Sequence, residues 1–491
     1  MDLSLYPLPF FLSAIALIAS GLFAWKHRRQ GWGLPMGAVL ATVGVWYLGG
    51  GLYNDYEEYQ TVIGDAALSV AWWQVLLFIV TFSFLVLPVH GLVNKHLLKR
   101  QSRLLFYAKS GRISDPSMQR NIDQLAKALL ICWLIIMAIA LARRGWHFEA
   151  MFFPYLEGYK LNPWSRGRVG GGISALLSLA GYLQLFLTAA FGVVAGVAKN
   201  PKTRMMAITV CFLAFPYYIF DRTRNPMIAT MLPGLLAWLF LGLRAHMIVK
   251  GAILLTVFLL ANFWMLAVVD SDMNRGVTVG NAIKNIKAKQ DKEMEVIDGI
   301  GDEKEGPKHE GLSMFAELGH MNNLFDNGLY EPTWGGRYFA EATNFIPRAL
   351  WKNKPLVGVD YALARGFGVK SGVVESKFAG GGITASIATG MIGQGVVNFG
   401  RFFGPMCSAL LMSIWVSILA RLDLRGDPAR MVLCTLGMIL TFNMGRDITL
   451  FVLYPFVFGY MLLLGWEWQQ KKKMAQNVSA SRQRKRTFPA R

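Results

Sequence analysis

The chain has 491 residues, of which 54% are hydrophobic, and it carries 50 Lys and Arg against 30 Asp and Glu. This length and composition exclude an ordinary soluble enzyme and favour many membrane crossings, because one crossing takes roughly 20 apolar residues. A net charge of +20 would suit a nucleic-acid-binding protein. The positions of the basic residues favour membrane topology as the origin of this charge, so no nucleic-acid partner is expected.

The apolar segments predict an all-α, polytopic integral membrane protein with about 11 transmembrane helices. The predicted spans are 5–25, 32–53, 67–93, 127–142, 171–198, 205–220, 227–243, 251–269, 402–420, 431–445 and 448–466. Four regions follow from them. Residues 1–269 hold helices 1–8, 270–401 form one long loop between the eighth and ninth helices, 402–468 hold helices 9–11, and 469–491 form a basic tail.

The basic residues lie mostly on one side of the predicted membrane. The connectors on that side are 26–31, 94–127, 199–204, 244–250 and 421–430, together with the tail after Trp468. They hold 27 of the 50 Lys and Arg but only four acidic residues. Cytoplasmic loops accumulate Lys and Arg. The pattern therefore predicts an N-terminus outside, a cytoplasmic C-terminus and a long loop on the external side.

The long loop has two parts of different composition. Residues 284–310 alternate Lys with acidic residues and contain several glycines, which is typical of a solvated insertion. From Gly311 onward, Trp, Tyr and Phe are interleaved with charged residues. Such aromatic side chains either stack on sugars or pack the loop onto the membrane surface. The second part is therefore expected to hold half of a site.

Arginines stand on several separate connectors of the predicted external side. Arg222 and Arg224 follow Asp221 between the sixth and seventh spans, Arg348 lies in the long loop, and Arg446 lies between the last two spans. Arginine here opposes the usual charge bias, and its guanidinium group suits bidentate phosphate binding. We expect a shared polyanion site, with binding of individual arginines to lipid phosphate as the alternative.

A general base near that site requires a carboxylate or a histidine. Glu341 and His320 are the catalytic candidates. Glu317 lies three residues before His320 and shares its face if that segment is helical. Histidines are scattered and no HExxH spacing occurs, so neither a metal nor any other cofactor is predicted.

Three short motifs resemble those of the oligosaccharide repeat-unit polymerases, the O-antigen and exopolysaccharide polymerases of the Wzy type. Residues 346–355 (IPRALWKNKP) resemble their IPR-x-LW-x-x-KP motif, and 221–224 (DRTR) resemble their Arg-containing turn. Residues 393–400 (GQGVVNFG) resemble a GE-x-x-x-NFG motif, with Gln394 in place of the acid. Arg446 resembles the arginine before the last helix. The likeness covers about 210–460 by order and spacing.

This resemblance implies a metal-independent inverting glycosyltransferase in the bacterial inner (cytoplasmic) membrane. Its substrate would be a polyprenyl-pyrophosphate-linked glycan. The enzyme would be surrounded by membrane lipid, and its protein partner would be a chain-length regulator (co-polymerase). The residues carried over to pyrophosphate or glycan binding are Asp221, Arg222, Arg224, Arg348, Lys354 and Arg446. A glycan ligase of the same mechanism and a flippase or transporter of the lipid-linked oligosaccharide are the alternatives.

Overall fold

The computed structural model describes residues 3–53, 55–105, 115–143, 145–148, 173–219, 224–242, 246–269, 314–343, 346, 350–351, 354–355, 358–365, 388–422, 427–448 and 450–487. Across these residues all regular structure is helical and no β-strand occurs. The all-α prediction is therefore confirmed.

The described residues of the N-terminal part of the chain form six α-helices, of which the fifth is the longest. They are α1 (Leu8–Lys26), α2 (Gly33–Val43), α3 (Gly50–Tyr53), α4 (Tyr56–Ile63), α5 (Asp65–Leu105) and α6 (Pro116–Arg143). A π-helical segment, Gly44–Gly49, joins α2 to α3 without a break. The short helix α4 begins at Asp55, whose carboxylate accepts hydrogen bonds from the backbone N–H groups of Glu57 and Glu58. Helix α1 packs along α5.

The middle helices pack closely through small residues. They are α7 (Ile173–Val197), α8 (Pro201–Ile219), α9 (Arg224–Ala237) and α10 (Met247–Val269). Gly192 and Gly196 lie one turn apart on α7, and a Cβ atom added at Gly234 of α9 would lie 2.5 Å from the carbonyl carbon of Gly192. Only glycine permits this backbone contact, as in close helix pairs within membranes.

The long loop contributes three helices, α11 (Met314–Asp326), α12 (Gly336–Thr343) and α13 (Val359–Ala364). Helix α11 is fixed to α5. The Phe315 ring stacks on Trp72 with centroids 4.0 Å apart, and the side-chain amides of Asn322 and Gln74 exchange hydrogen bonds of 2.9 and 3.0 Å. A buried amide pair satisfies both side chains, so it fixes the position of α11 on the helical bundle.

The last three helices are α14 (Met391–Leu422), α15 (Pro428–Met444) and α16 (Leu450–Thr487). Helix α14 breaks at Gly400, where φ is 77°, a value that favours glycine. The hydroxyl of Ser408 donates to the carbonyl of Met391 over 2.9 Å, although a continuous helix would separate these residues by roughly 25 Å. Segments 391–399 and 401–422 therefore form an antiparallel hairpin. Its two arms touch at Gly395 and Gly404.

Six helices of the described residues are long and apolar enough to cross a membrane. They are Leu8–Lys26, Gly33–Leu52, Asp65–Lys95, Pro116–Arg143, Ala180–Val197 and Met391–Leu422. Because the last one breaks at Gly400, the crossing part is 401–422, which is roughly 33 Å long. Shorter apolar helices occur at Pro226–Ala237, Ile248–Val257 and Pro428–Met444. The number of 11 spans and the orientation stay predictions.

Candidate functional site

The turn between α15 and α16 is tied to the short arm of the α14 hairpin. The N–H groups of Gly390 and Met391 donate to the carbonyls of Arg446 and Gly445 over 2.8 and 3.1 Å. The amide of Gln394 both donates to the carbonyl of Ile448 and accepts from its N–H, at 3.0 and 2.9 Å. These bonds satisfy the buried backbone of the turn and hold Arg446 and the neighbouring Asp447 in fixed positions.

Helix α12 is anchored to the same arm. The N–H of Thr333 donates to the carbonyl of Val397 over 3.0 Å, and the N–H of Tyr338 donates to the side-chain oxygen of Asn398 over 3.2 Å. Arg337 and Glu341 are four residues apart on this helix and hence share a face. Both are buried, because that face is turned towards the 445–448 turn.

Arg337 is a buried cation with unused hydrogen-bonding capacity. Its side chain is only 3% exposed, and its Nη2 atom lies 3.9 Å from Oδ2 of Asp447. Its Nε and Nη1 atoms are buried and have no hydrogen-bond partner among the described residues. Burying guanidinium nitrogens without partners is costly. The arrangement suits an anion that would accept from these two nitrogens.

Arg446 adds a second positive charge at Asp447. Burial raises the pKa of the Asp447 carboxyl, while the charges of Arg337 and Arg446 act to lower it. The side chain of Arg446 is half-buried. Two arginines therefore flank one carboxylate, and an anionic ligand would compete with that carboxylate for them.

Glu341 has the titration behaviour of a proton-transfer group. Its pKa is raised to about 8, mainly by burial and then by the charge of Asp447, while the charge of Arg337 opposes both. Its Oε2 atom is buried and lacks a hydrogen-bond partner within the part of the chain that the structure describes. A carboxyl group that titrates near neutral pH can both accept and release a proton at the operating pH.

His320 and Glu317 belong to a different cluster. Segment 314–326 is helical, so they do lie on one face of α11. The Glu317 carboxylate accepts two hydrogen bonds from Arg365, at 3.1 and 3.2 Å, and one from the Tyr361 hydroxyl at 3.0 Å. Through these hydrogen bonds Glu317 joins α11 to α13. The pKa of His320 is lowered to about 4, mainly by burial and then by the charge of Arg365, while the charge of Glu317 acts in the opposite direction.

The other predicted binding residues divide into two groups. Lys354 is buried and its ammonium group donates to the carbonyl of Ile346 over 3.0 Å. Asp221, Arg222 and Arg348 lie outside the described residues, and so does the side chain of Arg224. Of the predicted site residues, the structure thus brings Glu341 and Arg446 together.

The residue that sequence reasoning missed as a ligand is Arg337. It stands in no motif, and its only local signal is the four-residue spacing from Glu341. Asp447, the next residue after Arg446, was not among the predicted site residues. The contact between them depends on the α14 hairpin, which brings residues 110 positions apart together. Among the described residues, no three His, Cys, Asp or Glu side chains converge as they would around a metal ion.

Comparisons with known proteins do not assign the chain to a family. No protein-family model matches it, no curated protein matches it significantly, and neither does any solved structure.

Proposed function

We propose that the chain is an integral-membrane glycosyltransferase of the bacterial inner membrane. It polymerises polyprenyl-pyrophosphate-linked oligosaccharide repeat units into a surface polysaccharide at the outer face of that membrane. The observation that carries the proposal is the buried guanidinium of Arg337, two of whose nitrogens lack a hydrogen-bond partner among the described residues, beside Arg446 and the protonatable Glu341. The short motifs of residues 210–460 supply the substrate class.

The two arginines suit the leaving group of this reaction. When the bond between the anomeric carbon and the pyrophosphate breaks, negative charge develops on the phosphate oxygens. Guanidinium donors already in place stabilise that charge without reorganisation. Arg337 lies 3.9 Å from its present carboxylate partner, which is longer than a hydrogen bond, so a pyrophosphate oxygen is the better acceptor.

Glu341 suits the other half of the reaction. An acceptor hydroxyl attacks the anomeric carbon, a new carbon–oxygen bond forms, and polyprenyl pyrophosphate departs with the electron pair of the broken bond. The proton of the hydroxyl passes to the Glu341 carboxylate. With a pKa of about 8, roughly a tenth of this group is ionised at pH 7, and the ionised form is a stronger base than an ordinary carboxylate.

The partners of this proposal are the lipid-linked glycan, the surrounding membrane lipid and a chain-length regulator. A glycan ligase would use the same site with a different acceptor. A flippase would instead need charged groups along its path through the membrane and two related halves. The charged groups described above gather at one end of the helices, so the enzyme is the stronger proposal.

The test is removal of the chain from its host, followed by sizing of the surface polysaccharide and of the lipid-linked units in the outer leaflet. We expect single repeat units to reach the surface while long chains disappear, and an Arg337→Ala variant to behave like the deletion. Arg29→Ala, at an exposed position of a connector, serves as the control and should restore long chains.

Other outcomes would point elsewhere. Loss of all lipid-linked units from the outer leaflet would contradict the proposed enzyme and would indicate a flippase. Long chains that accumulate on their lipid carrier would indicate a ligase. Full-length polymer made by Arg337→Ala at normal rate would remove Arg337 from the site.

A further inference from the structure

Helix α12 has its polar and apolar faces reversed with respect to a helix on a water-soluble surface. Arg337 and Glu341 are each only 4% exposed, whereas Phe339 is 56% exposed. A helix on the surface of a soluble protein turns its apolar side inward and its charges to water. The opposite arrangement is expected where the outer surroundings are lipid and the interior is polar.

Two neighbouring large side chains extend this surface. Trp334 is 74% exposed and Leu350 is 81% exposed. The ring of Trp351, next to Leu350, contacts the Phe339 ring of α12 with centroids 6.2 Å apart. Trp334 lies two residues before α12, with φ at 50°. Left-handed backbone at tryptophan is strained, and here it keeps the ring turned outward. We call Trp334, Phe339 and Leu350 the outer apolar face.

The depth of α12 along the bundle is set by the hairpin. The Tyr338 hydroxyl is within electrostatic range of Cys407 and Ser408, although it makes no hydrogen bond of ordinary geometry among the described residues. Ser408 is seven residues after Arg401, which places it roughly 10 Å along the 401–422 arm from its beginning. Phe402 and Phe403, at the beginning of that arm, are exposed large hydrophobic residues themselves. Helix α12 therefore extends deeper along the bundle than Phe402 and Phe403, the first exposed apolar side chains of the arm.

Two other helices give the same depth for the neighbouring turn. Tyr47, which accepts a hydrogen bond from the N–H of Ile392 over 2.8 Å, lies five residues before the end of the candidate span Gly33–Leu52. Helix α15, Pro428–Met444, has 17 residues and a length of roughly 26 Å, which is less than the hydrocarbon thickness of a bilayer of about 30 Å. The 445–448 turn therefore lies deeper along the bundle than the end of the neighbouring span Gly33–Leu52.

We propose that the outer apolar face contacts the acyl chains of bilayer lipid, so that α12 lies within the leaflet on the side of residues 270–401. Its charged face then forms a polar wall between lipid and the 445–448 turn. The proposal rests on membrane crossing by the 401–422 arm and is independent of glycosyl transfer. Lipid is favoured over a soluble partner because the three described side chains of the face are apolar and exposed and lie at the depth of the span's own apolar surface.

The experiment uses the full chain reconstituted in phosphatidylcholine vesicles. Nitroxide labels are attached to single cysteines at Phe339→Cys and Leu350→Cys, in a background where Cys132, Cys211, Cys407 and Cys434 are replaced by alanine. Power saturation then compares collision with oxygen, which concentrates in lipid, and with a water-soluble nickel chelate. Phe84→Cys, on an exposed apolar position of α5, is the lipid control, and Glu331→Cys, exposed three residues before Trp334, is the water control.

We expect labels at 339 and 350 to favour oxygen as the label at 84 does, and the label at 331 to favour nickel. Nickel accessibility at 339 and 350 equal to that at 331 would overturn the proposal. Shielding from both reagents would also overturn it and would indicate a second copy or a protein partner. The unmodified chain provides a second measurement, in which a lipid-soluble diazirine should label Phe339 or Leu350. These readouts do not depend on activity, so they stand or fail separately from the proposed reaction.

Discussion

The guanidinium of Arg337 and the carboxylate of Asp447 lie 3.9 Å apart, too far for a hydrogen bond, with both groups largely enclosed by protein. By contrast, Arg365 makes two hydrogen bonds to Glu317, at 3.1 and 3.2 Å. The same residue type is thus fully paired in one cluster and only loosely paired in the other. This contrast provides a matched pair for mutation.

Arg337→Lys is expected to lower polymer formation by about 100-fold, because the ammonium keeps the charge but loses the two-pronged donor geometry. Its melting temperature should change little. Arg365→Lys should do the reverse, since it breaks a buried bidentate pair. The measurements are in vitro polymerisation and thermal unfolding in detergent. Equal effects of both variants on stability, with activity following stability, would contradict the assignment of Arg337.

Glu341 is expected to make stability depend on pH. Its folded-state pKa of about 8 lies above the ordinary value of 4.5, so the folded state retains a proton that the unfolded state loses. The stabilisation is complete below pH 4.5 and is lost as the pH rises through about 8. Glu341→Gln should remove this dependence.

Thermal unfolding from pH 5 to pH 9 measures the difference. The pH slope of the wild type should be steeper than that of Glu341→Gln over pH 5–8, and the polymerisation rate of the wild type should rise with pH up to about 8. Identical slopes for the two proteins would show that the carboxyl of Glu341 is not shifted. Asp447, Arg337 and Tyr454 are the groups whose charges interact with it.

His320 is expected to be dispensable for chemistry. With its pKa lowered to about 4, it remains neutral throughout the physiological range, and the charges that act on it are those of Arg365 and Glu317. His320→Gln should retain polymerisation within a few-fold of the wild type. Comparison of kcat with that of Glu341→Gln is the measurement. A loss for His320→Gln as large as for Glu341→Gln would reverse this assignment.

We expect a glutamate at position 394 to destabilise the protein, although the polymerase motif that residues 393–400 resemble has an acid there. A glutamate could accept from the Ile448 N–H but would face the Ile448 carbonyl without a proton to donate. Gln394→Glu should lower the free energy of unfolding by about 1–3 kcal/mol. Gln30→Glu, at an exposed position, is the control and should have little effect. A stability equal to that of the control would mean that glutamate is accommodated here.

Gly395 is expected to be essential for the hairpin. A Cβ atom there would lie 2.1 Å from the carbonyl oxygen of Gly404, whereas one at Gly21 of α1 would meet nothing within 4 Å. Gly395→Ala should destabilise the protein by more than about 1–3 kcal/mol, and Gly21→Ala should be neutral or stabilising. Chemical denaturation of both variants checks this. Tolerance of alanine at 395 would argue against the contact between the two arms.

The sequence was sufficient for the helical class and for the apolar segments, because hydropathy is a local property. It was also sufficient to bring Glu341 and Arg446 forward as candidates from their residue types and positions. It could not show the pairing of Glu317 with Arg365, 48 residues away, since both residues are ordinary charged side chains of a polar loop. The break at Gly400 was hidden as well, because eight glycines occur between 380 and 404 and their types alone do not distinguish a turn from a packing contact.

The hydrogen bond from the Ile392 N–H to the Tyr47 hydroxyl joins residues 345 positions apart, so the ribosome makes its two partners at different times. At about 5–20 residues per second, the ribosome completes residue 392 roughly 17–70 seconds after residue 47. Phe442, whose carbonyl accepts the hydrogen bond from the Trp46 indole N–H, is made later still. During this interval the nascent chain therefore holds these two aromatic side chains without their final partners, and the site can form only after the 445–448 turn has been made.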